Sequence, residues 1–223
     1  MVTVGQCGVH CRFCFRRHFP YTKGPPRHSR WKEILKQVQR DPAIHEVILS
    51  GGDPLTLPDG ELEWLIKQIA AITHVRRLRV HTRMPIVIPQ RVTPGLIGAL
   101  RSTRLASIVV VHVNHPAEID LEVAQALAAL VDHGIPVLSQ SVLLRGVNDS
   151  AEVLCALFER LVDVRVIPYY LHQLDPVAGA AHFEVPEAKG RALVAEVRRR
   201  LPGYAVPRYV REIPGSPSKE VLA

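Results

Sequence analysis

The sequence predicts an α/β fold, an incomplete parallel barrel of the TIM-like (β/α)6 type, and three observations predict it. β-Branched runs recur about every thirty residues, the period of a βα unit. Segments with one apolar face at helical spacing lie between them. Polar side chains gather where each run ends, the face on which barrels of this kind place their chemistry. A doubly wound open sheet is the alternative arrangement of the same units.

Taken in order, Met1 to Val4 is an apolar start that reads as a strand. Further strands are expected at Glu46 to Ser50, Leu78 to Thr82, Ser107 to Val113, Pro136 to Val142 and Val164 to Tyr170. Helical faces are formed by Leu62, Leu65, Ile66 and Ile69, by Val123, Ala124, Leu127, Leu130 and Val131, and by Leu193, Val194, Val197 and Leu201. Asp120 is placed to cap the second of these helices, Gly134 to end it, and Pro186 to open the third at a position where its missing N–H does not matter. The strand ends carry Ser50, Gly51, Gly52 and Asp53; His81 and Arg83; His112 and Asn114; Gln140; and Tyr170, His172 and Asp175. Each alone fits a satisfied core polar group. Aligned together they point to a site.

A chain of 223 residues suits one domain spanning 1–223, and 47% apolar with 22% charged residues excludes disorder and fibrous repeats. No run approaches the roughly eighteen apolar residues of a membrane helix, and no basic start precedes an apolar stretch, so a cytoplasmic protein without a membrane partner is expected. Three of the four cysteines fall within eight residues, which suits a metal in a reducing compartment better than disulfides. The net charge of +7 is compatible with nucleic acid, an acidic partner or anionic ligands. Much of it lies in Arg12, Arg16, Arg17, His18, Lys23, Arg27, His28, Arg30 and Lys32, around the cysteines and with few interleaved aromatics. That favours an anion pocket over nucleic acid.

Cys7-x3-Cys11-x2-Cys14 brings three thiolates onto one loop after the first strand. Zinc would need a fourth ligand, and only His10 or His18 is near. A 4Fe-4S cluster held by three thiolates leaves one iron open to a cofactor or substrate. Cys155 lies between Leu154 and Leu157 in a helical stretch and reads as core filling.

With Phe13 before its last cysteine, this spacing resembles the radical S-adenosylmethionine (SAM) signature. Gly51-Gly52-Asp53 resembles that superfamily's glycine pair, which binds the methionine end of SAM; glycine lets a backbone approach a ligand closely. More narrowly, CRFCFRRHFPY (11–21), SGGDPL (50–55), VNHP (113–116), QSVLLRGVND (140–149), PYYLHQLD (168–175), GAAHF (179–183) and PSK (217–219) resemble lysine 2,3-aminomutases. Within that family the match is to the branch that makes β-lysine for elongation factor P.

The resemblance implies an isomerase using a 4Fe-4S cluster, SAM and pyridoxal phosphate (PLP) to convert L-lysine to β-lysine, with a flavodoxin- or ferredoxin-type reductant. It implies Cys7, Cys11 and Cys14 as cluster ligands. Ser50, Gly51, Gly52, Asp53, His112 and Gln140 fall at SAM positions. Lys219 falls at the PLP Schiff-base position, within a C-terminal segment of about 203–223. Arg16 would clasp the substrate carboxylate with its fork of donors, and Asp175 and Glu212 would receive the distant ammonium. Read without the resemblance, Lys219, Arg16 and the two acids are ordinary surface groups.

Metabolic members carry a zinc-binding cysteine after the Asn-Asp of QSVLLRGVND, where this sequence has Ser150. A metabolic lysine aminomutase is the nearest rival function, and a truncated, non-catalytic Fe-S or nucleic-acid-binding module is the rival from another class. Family members also have a helical segment ahead of the cysteines with arginines for the PLP phosphate, whereas this sequence starts at the strand. A fragment, a misplaced start codon or a shortened enzyme would each account for this, and a core that keeps the cluster and SAM sites but binds PLP weakly is expected.

Overall fold

The computed structural model describes residues 1–16 and 27–223; Arg17, His18, Lys23 and the Phe19–Tyr21 part of the cysteine-loop motif lie outside them. Strand β1 (Val2–Val4) leads into the cysteine loop, and helix α1 (Arg27–Arg40) precedes β2 (Glu46–Gly51). Then follow α2 (Asp59–Ala70), β3 (Arg77–Thr82), the single turn α3 (Met84–Val87), α4 (Pro94–Arg101) and β4 (Ala106–His112). The second half runs α5 (Leu121–Asp132), β5 (Val137–Val142), α6 (Ala151–Asp163), β6 (Ile167–His172), α7 (Glu187–Arg200), β7 (Arg208–Arg211) and β8 (Glu220–Val221).

The strands pair in chain order, every pair parallel except the antiparallel β7–β8. Among the described residues no pairing joins β1 to β8, so the barrel is open between its edges. Crossover helices between parallel neighbours dictate this order, and the parallel pairs place helices over one face.

Burial alternates with the pleat. In β3, Leu78, Val80 and Thr82 are buried under the helices, whereas Arg79 and His81 are half-buried and face the inside of the curve. Register carries that inner face across the sheet: Arg79 lies beside Ile108, His81 beside Val110, His112 beside Gln140, and Gln140 beside Tyr170. The apolar core therefore lies between sheet and helices, where Leu62, Leu65, Ile66, Leu127, Leu154 and Phe158 are closed to solvent. The inner face is left for polar groups.

Asp120 caps α5 by accepting from Val123 N (2.9 Å), and Gly134 leaves the helix at φ +76. Pro186 opens α7 from the N-cap, where its missing N–H costs no helix bond, and Val164 closes α6 instead of opening β6. The single strand expected over 164–170 is divided: its β-branched residues continue from the end of α6 into β6. Pro168 cannot donate to the ladder, and the β5–β6 register slips at Ser139/Gln140 beside it. Helix α1 was not read, although Trp31, Ile34, Leu35 and Val38 have helical spacing. The buried Trp31 indole donates to Thr3 O (3.1 Å) and fixes α1 against β1. No helix of the described residues is long and apolar enough to cross a membrane.

Candidate active site

The cysteine loop leaves β1 at the C-terminal ends of the strands and is stitched there by backbone. Gly52 N donates to Val4 O and Asp53 N to Gln6 O, both at 2.7 Å. A β-carbon on Gly52 would stand 2.0 Å from Gln6 O, and one on Gly51, whose φ is +132, would stand 2.5 Å from Val4 O. Glycine is required at both positions by the close approach of the loop.

Asp53 is buried and its carboxylate points into the fold. One oxygen accepts from Leu55 N (3.0 Å) and Thr82 Oγ1 (2.6 Å), the other from Arg83 N (2.7 Å), tying the end of β2 to the end of β3. Asn114 and Asn148 do the same for β4 and β5. Asn114 Oδ1 accepts from Val142 N (2.8 Å), and Asn148 Nδ2 donates to both Asn114 O and Val142 O (2.9 Å each).

Cys7, Cys11 and Cys14 are all free and partly exposed on this loop. Burial and then the neighbouring Asp53, Cys14 and Cys11 push the Cys7 thiol up to about 11. Arg83 donates from Nη1 to Cys11 Sγ at 2.9 Å. Arg12 ties the loop to the opposite side of the barrel, lying 5.1 Å over the Phe183 ring with Nη2 3.2 Å from His182 Nε2. Arg16 donates to Gly51 O at 3.1 Å.

Inside the barrel, His81 (β3), His112 (β4) and His172 (β6) stand among cations. Burial first, then Arg79, Arg16 and Lys219, lowers His81 to about 3; burial and Arg83 lower His112 to about 3; burial and Lys219 lower His172 to about 4. All three are neutral at pH 7, able to donate and accept without adding charge. His81 Nε2 is buried without a partner. Phe13 of the cysteine loop packs edge-on against His112, with centroids 5.6 Å apart.

Lys219 reaches this interior from the β7–β8 connection. Its ammonium lies 5.9 Å from the centre of the Tyr170 ring and is ion-paired with Glu212. Burial lowers its pKa, with Asp175 opposing and Arg79 reinforcing. Burial raises Asp175, with Lys219 opposing. A lysine so placed holds more free amine than an exposed one, as condensation with a carbonyl compound requires.

The first 157 residues match the model of the Radical SAM superfamily. The chain belongs to the radical SAM superfamily. It is 46% identical over 222 residues to the L-lysine 2,3-aminomutase of Escherichia coli K12, covering 100% of this chain and 65% of that protein. It is 37% identical over 220 residues to the L-lysine 2,3-aminomutase of Clostridium subterminale, covering 98% of this chain and 53% of that one. The chain thus spans about two thirds of the first of these relatives and about half of the second. Among solved structures, Streptococcus suis SuiB bound to S-adenosylmethionine matches with a TM-score of 0.70 at 14% identity, over 95% of this chain and 50% of that one, a likeness of fold.

As a radical SAM chain it would hold a 4Fe-4S cluster on Cys7, Cys11 and Cys14, and the loop fits one. Three free, partly exposed thiols on one short loop, with the Arg83 guanidinium donating to Cys11 Sγ at 2.9 Å, are the donor set such a cluster takes. Among the described residues no three His, Cys, Asp or Glu side chains converge on one point as a single ion demands. For SAM, Ser50 faces the inside at the loop edge, and His112 and Gln140 are register neighbours on the inner face.

The residues expected at the site thus lie along one barrel mouth, with His112 and Gln140 on β4 and β5 between two flanking groups. Arg16, Ser50, Gly51, Gly52 and the cysteines line the β1–β2 side, and Asp175, Glu212 and Lys219 the β6–β8 side. Asp53 lies with the first group, its carboxylate bonded within the fold to Leu55, Thr82 and Arg83. The Arg83–Cys11 contact, the Arg12–His182 tie and the Lys219–Glu212 pair were not read from sequence. Ser150, the position of the metabolic zinc cysteine, caps α6 by accepting from Val153 N (3.3 Å), and Cys155 is buried in that helix.

Proposed function

We propose that this chain is the radical core of an L-lysine 2,3-aminomutase, converting L-lysine to β-lysine in the cytoplasm for modification of elongation factor P. The observation that carries the reading is Lys219, which lies far from the cysteines in sequence yet projects over Tyr170 inside the same barrel. The identity to L-lysine 2,3-aminomutases along the whole chain supports it.

When bound, the cluster with SAM supplies a carbon-centred radical strong enough to take an unactivated hydrogen, and PLP supplies a carrier for the moving amino group. The chain's own residues then have separable tasks. Arg16, anchored on Gly51 O, offers the remaining donors of its fork to the substrate carboxylate. Asp175 and Glu212 offer carboxylates to the distant ammonium. Lys219 offers its amine to the PLP carbonyl carbon, a task that requires release from Glu212. The neutral imidazoles of His81, His112 and His172 orient bound groups. Ser150 as a helix cap supports the elongation factor P branch over the metabolic one. An electron would come from a flavodoxin- or ferredoxin-type partner.

Anaerobic reconstitution with iron and sulfide, followed by dithionite, SAM and PLP, tests this directly. 5′-Deoxyadenosine formation that rises with L-lysine, together with β-lysine, is expected. Cleavage of SAM indifferent to L-lysine would defeat the substrate assignment. In cells, free accumulation of β-lysine without a dependent synthetase would favour the metabolic role.

A further inference from the structure

We infer that Arg83 and Glu118 form a positioning pair that sets the reduction potential of a cluster bound at Cys11. This rests on the cysteine loop holding a 4Fe-4S cluster and concerns residues to which the motif assigns no role. Arg83 begins the turn after β3, and its backbone N–H is fixed by Asp53 Oδ2 at 2.7 Å. Its guanidinium is then used on two sides: Nη1 donates to Cys11 Sγ at 2.9 Å, and Nη2 to Glu118 Oε2 at 2.8 Å.

Glu118 is itself held. Its other oxygen accepts from Asn114 N (2.8 Å) and His115 N (3.0 Å) at the end of β4. The Phe13 ring lies 5.9 Å from the guanidinium carbon and packs on His112, so a ring of the cysteine loop lies against this donor. The chain of contacts from β4 backbone to Glu118, Arg83 and Cys11 has a fixed member at each step. A guanidinium held by Glu118 and aimed at one sulfur is more than a surface ion pair, and both members of the Arg83–Glu118 pair are about four-fifths buried.

An N–H donated to a cluster sulfur draws electron density from it and favours the more negative, reduced state. Glu118 offsets the Arg83 charge and so limits the effect. Arg83 is therefore expected to raise the potential and Glu118 to lower it, opposite signs that a purely structural pair would not give.

The experiment uses the whole reconstituted protein, with dithionite as the one-electron source and the reduced cluster followed by electron paramagnetic resonance. Arg83→Met is expected to disfavour reduction about tenfold, which is about 59 mV for one electron. Arg83→Lys should fall between Arg83→Met and wild type, and Glu118→Gln should shift the potential upward. If Arg83→Met loads no iron, Glu118→Gln and Arg83→Lys carry the test. Potentials equal to wild type in the loaded variants, or shifts of one sign in all of them, overturn the inference. Wild-type protein that takes up no iron–sulfur cluster would instead remove its premise.

Discussion

Gly52 and Gln6 approach so closely that the chain just past β2 and the backbone of the cysteine loop share one seam, with Gln6 O 2.0 Å from where a β-carbon on Gly52 would lie. The obstacle is backbone on both sides, and Asp53 N donates to that same carbonyl. Gly52→Ala must therefore move the loop, at a cost of about 3 kcal/mol. The expected outcome is a folded protein with a lower thermal midpoint and poor iron loading. Full iron content in Gly52→Ala would mean that the seam is not what places the cysteines.

Asp53 acts through the fold, which a substitution can separate from ligand binding. Asp53→Ala leaves the Leu55 and Arg83 N–H groups and the Thr82 hydroxyl without their acceptor in a buried place. A loss of about 3 kcal/mol is expected in denaturant unfolding of the iron-free protein. Unchanged stability with lost SAM affinity would show that Asp53 acts on the ligand and not through these bonds.

How far the sequence speaks depends on distance along the chain. The βα period, the Asp120 cap and the inner-face residues His112 and Gln140 were legible because they follow from local pattern and from alternation along a strand. Arg83 on Cys11 was not, because the two are 72 residues apart and meet only when β1 and β3 share a sheet. The glycine pair was legible as a place of close approach, but what approaches is set by where the cysteine loop folds back. Strands β7 and β8 lacked a clear alternating run and were missed, and with them the path by which Lys219 enters the barrel. Helix α1 was within reach of periodicity and was obscured by the basic residues around it.

Lys219 is separable from the cluster by position and by chemistry. Lys219→Ala removes the amine over Tyr170 and leaves the cysteine loop, held by Gly52, Asp53 and Arg83, untouched. Iron content and lysine-independent SAM cleavage should stay near wild type, while the PLP absorbance band and β-lysine formation fall to background. A PLP band that survives Lys219→Ala would place the carbonyl-binding amine elsewhere.

Protonation of the barrel interior gives a pH dependence whose sign is fixed. His81 and His172 are lowered to about 3 and about 4, burial being the main cause in each and nearby Lys219 adding to it, with Arg79 and Arg16 also acting on His81. In the unfolded chain both take a proton near pH 6.5. Between that value and about 4 the unfolded state therefore binds more protons than the folded one, and stability falls as pH falls. Each histidine contributes a slope of about 1.4 kcal/mol per pH unit once well inside the window. Asp175, raised by burial, works in the opposite direction toward the acid end. Urea unfolding of the iron-free protein from pH 7.5 to 4.5 should show this loss, and His172→Phe should reduce the slope by about one histidine's share. A slope unaltered by both His172→Phe and His81→Gln would show that these imidazoles are protonated in the folded barrel.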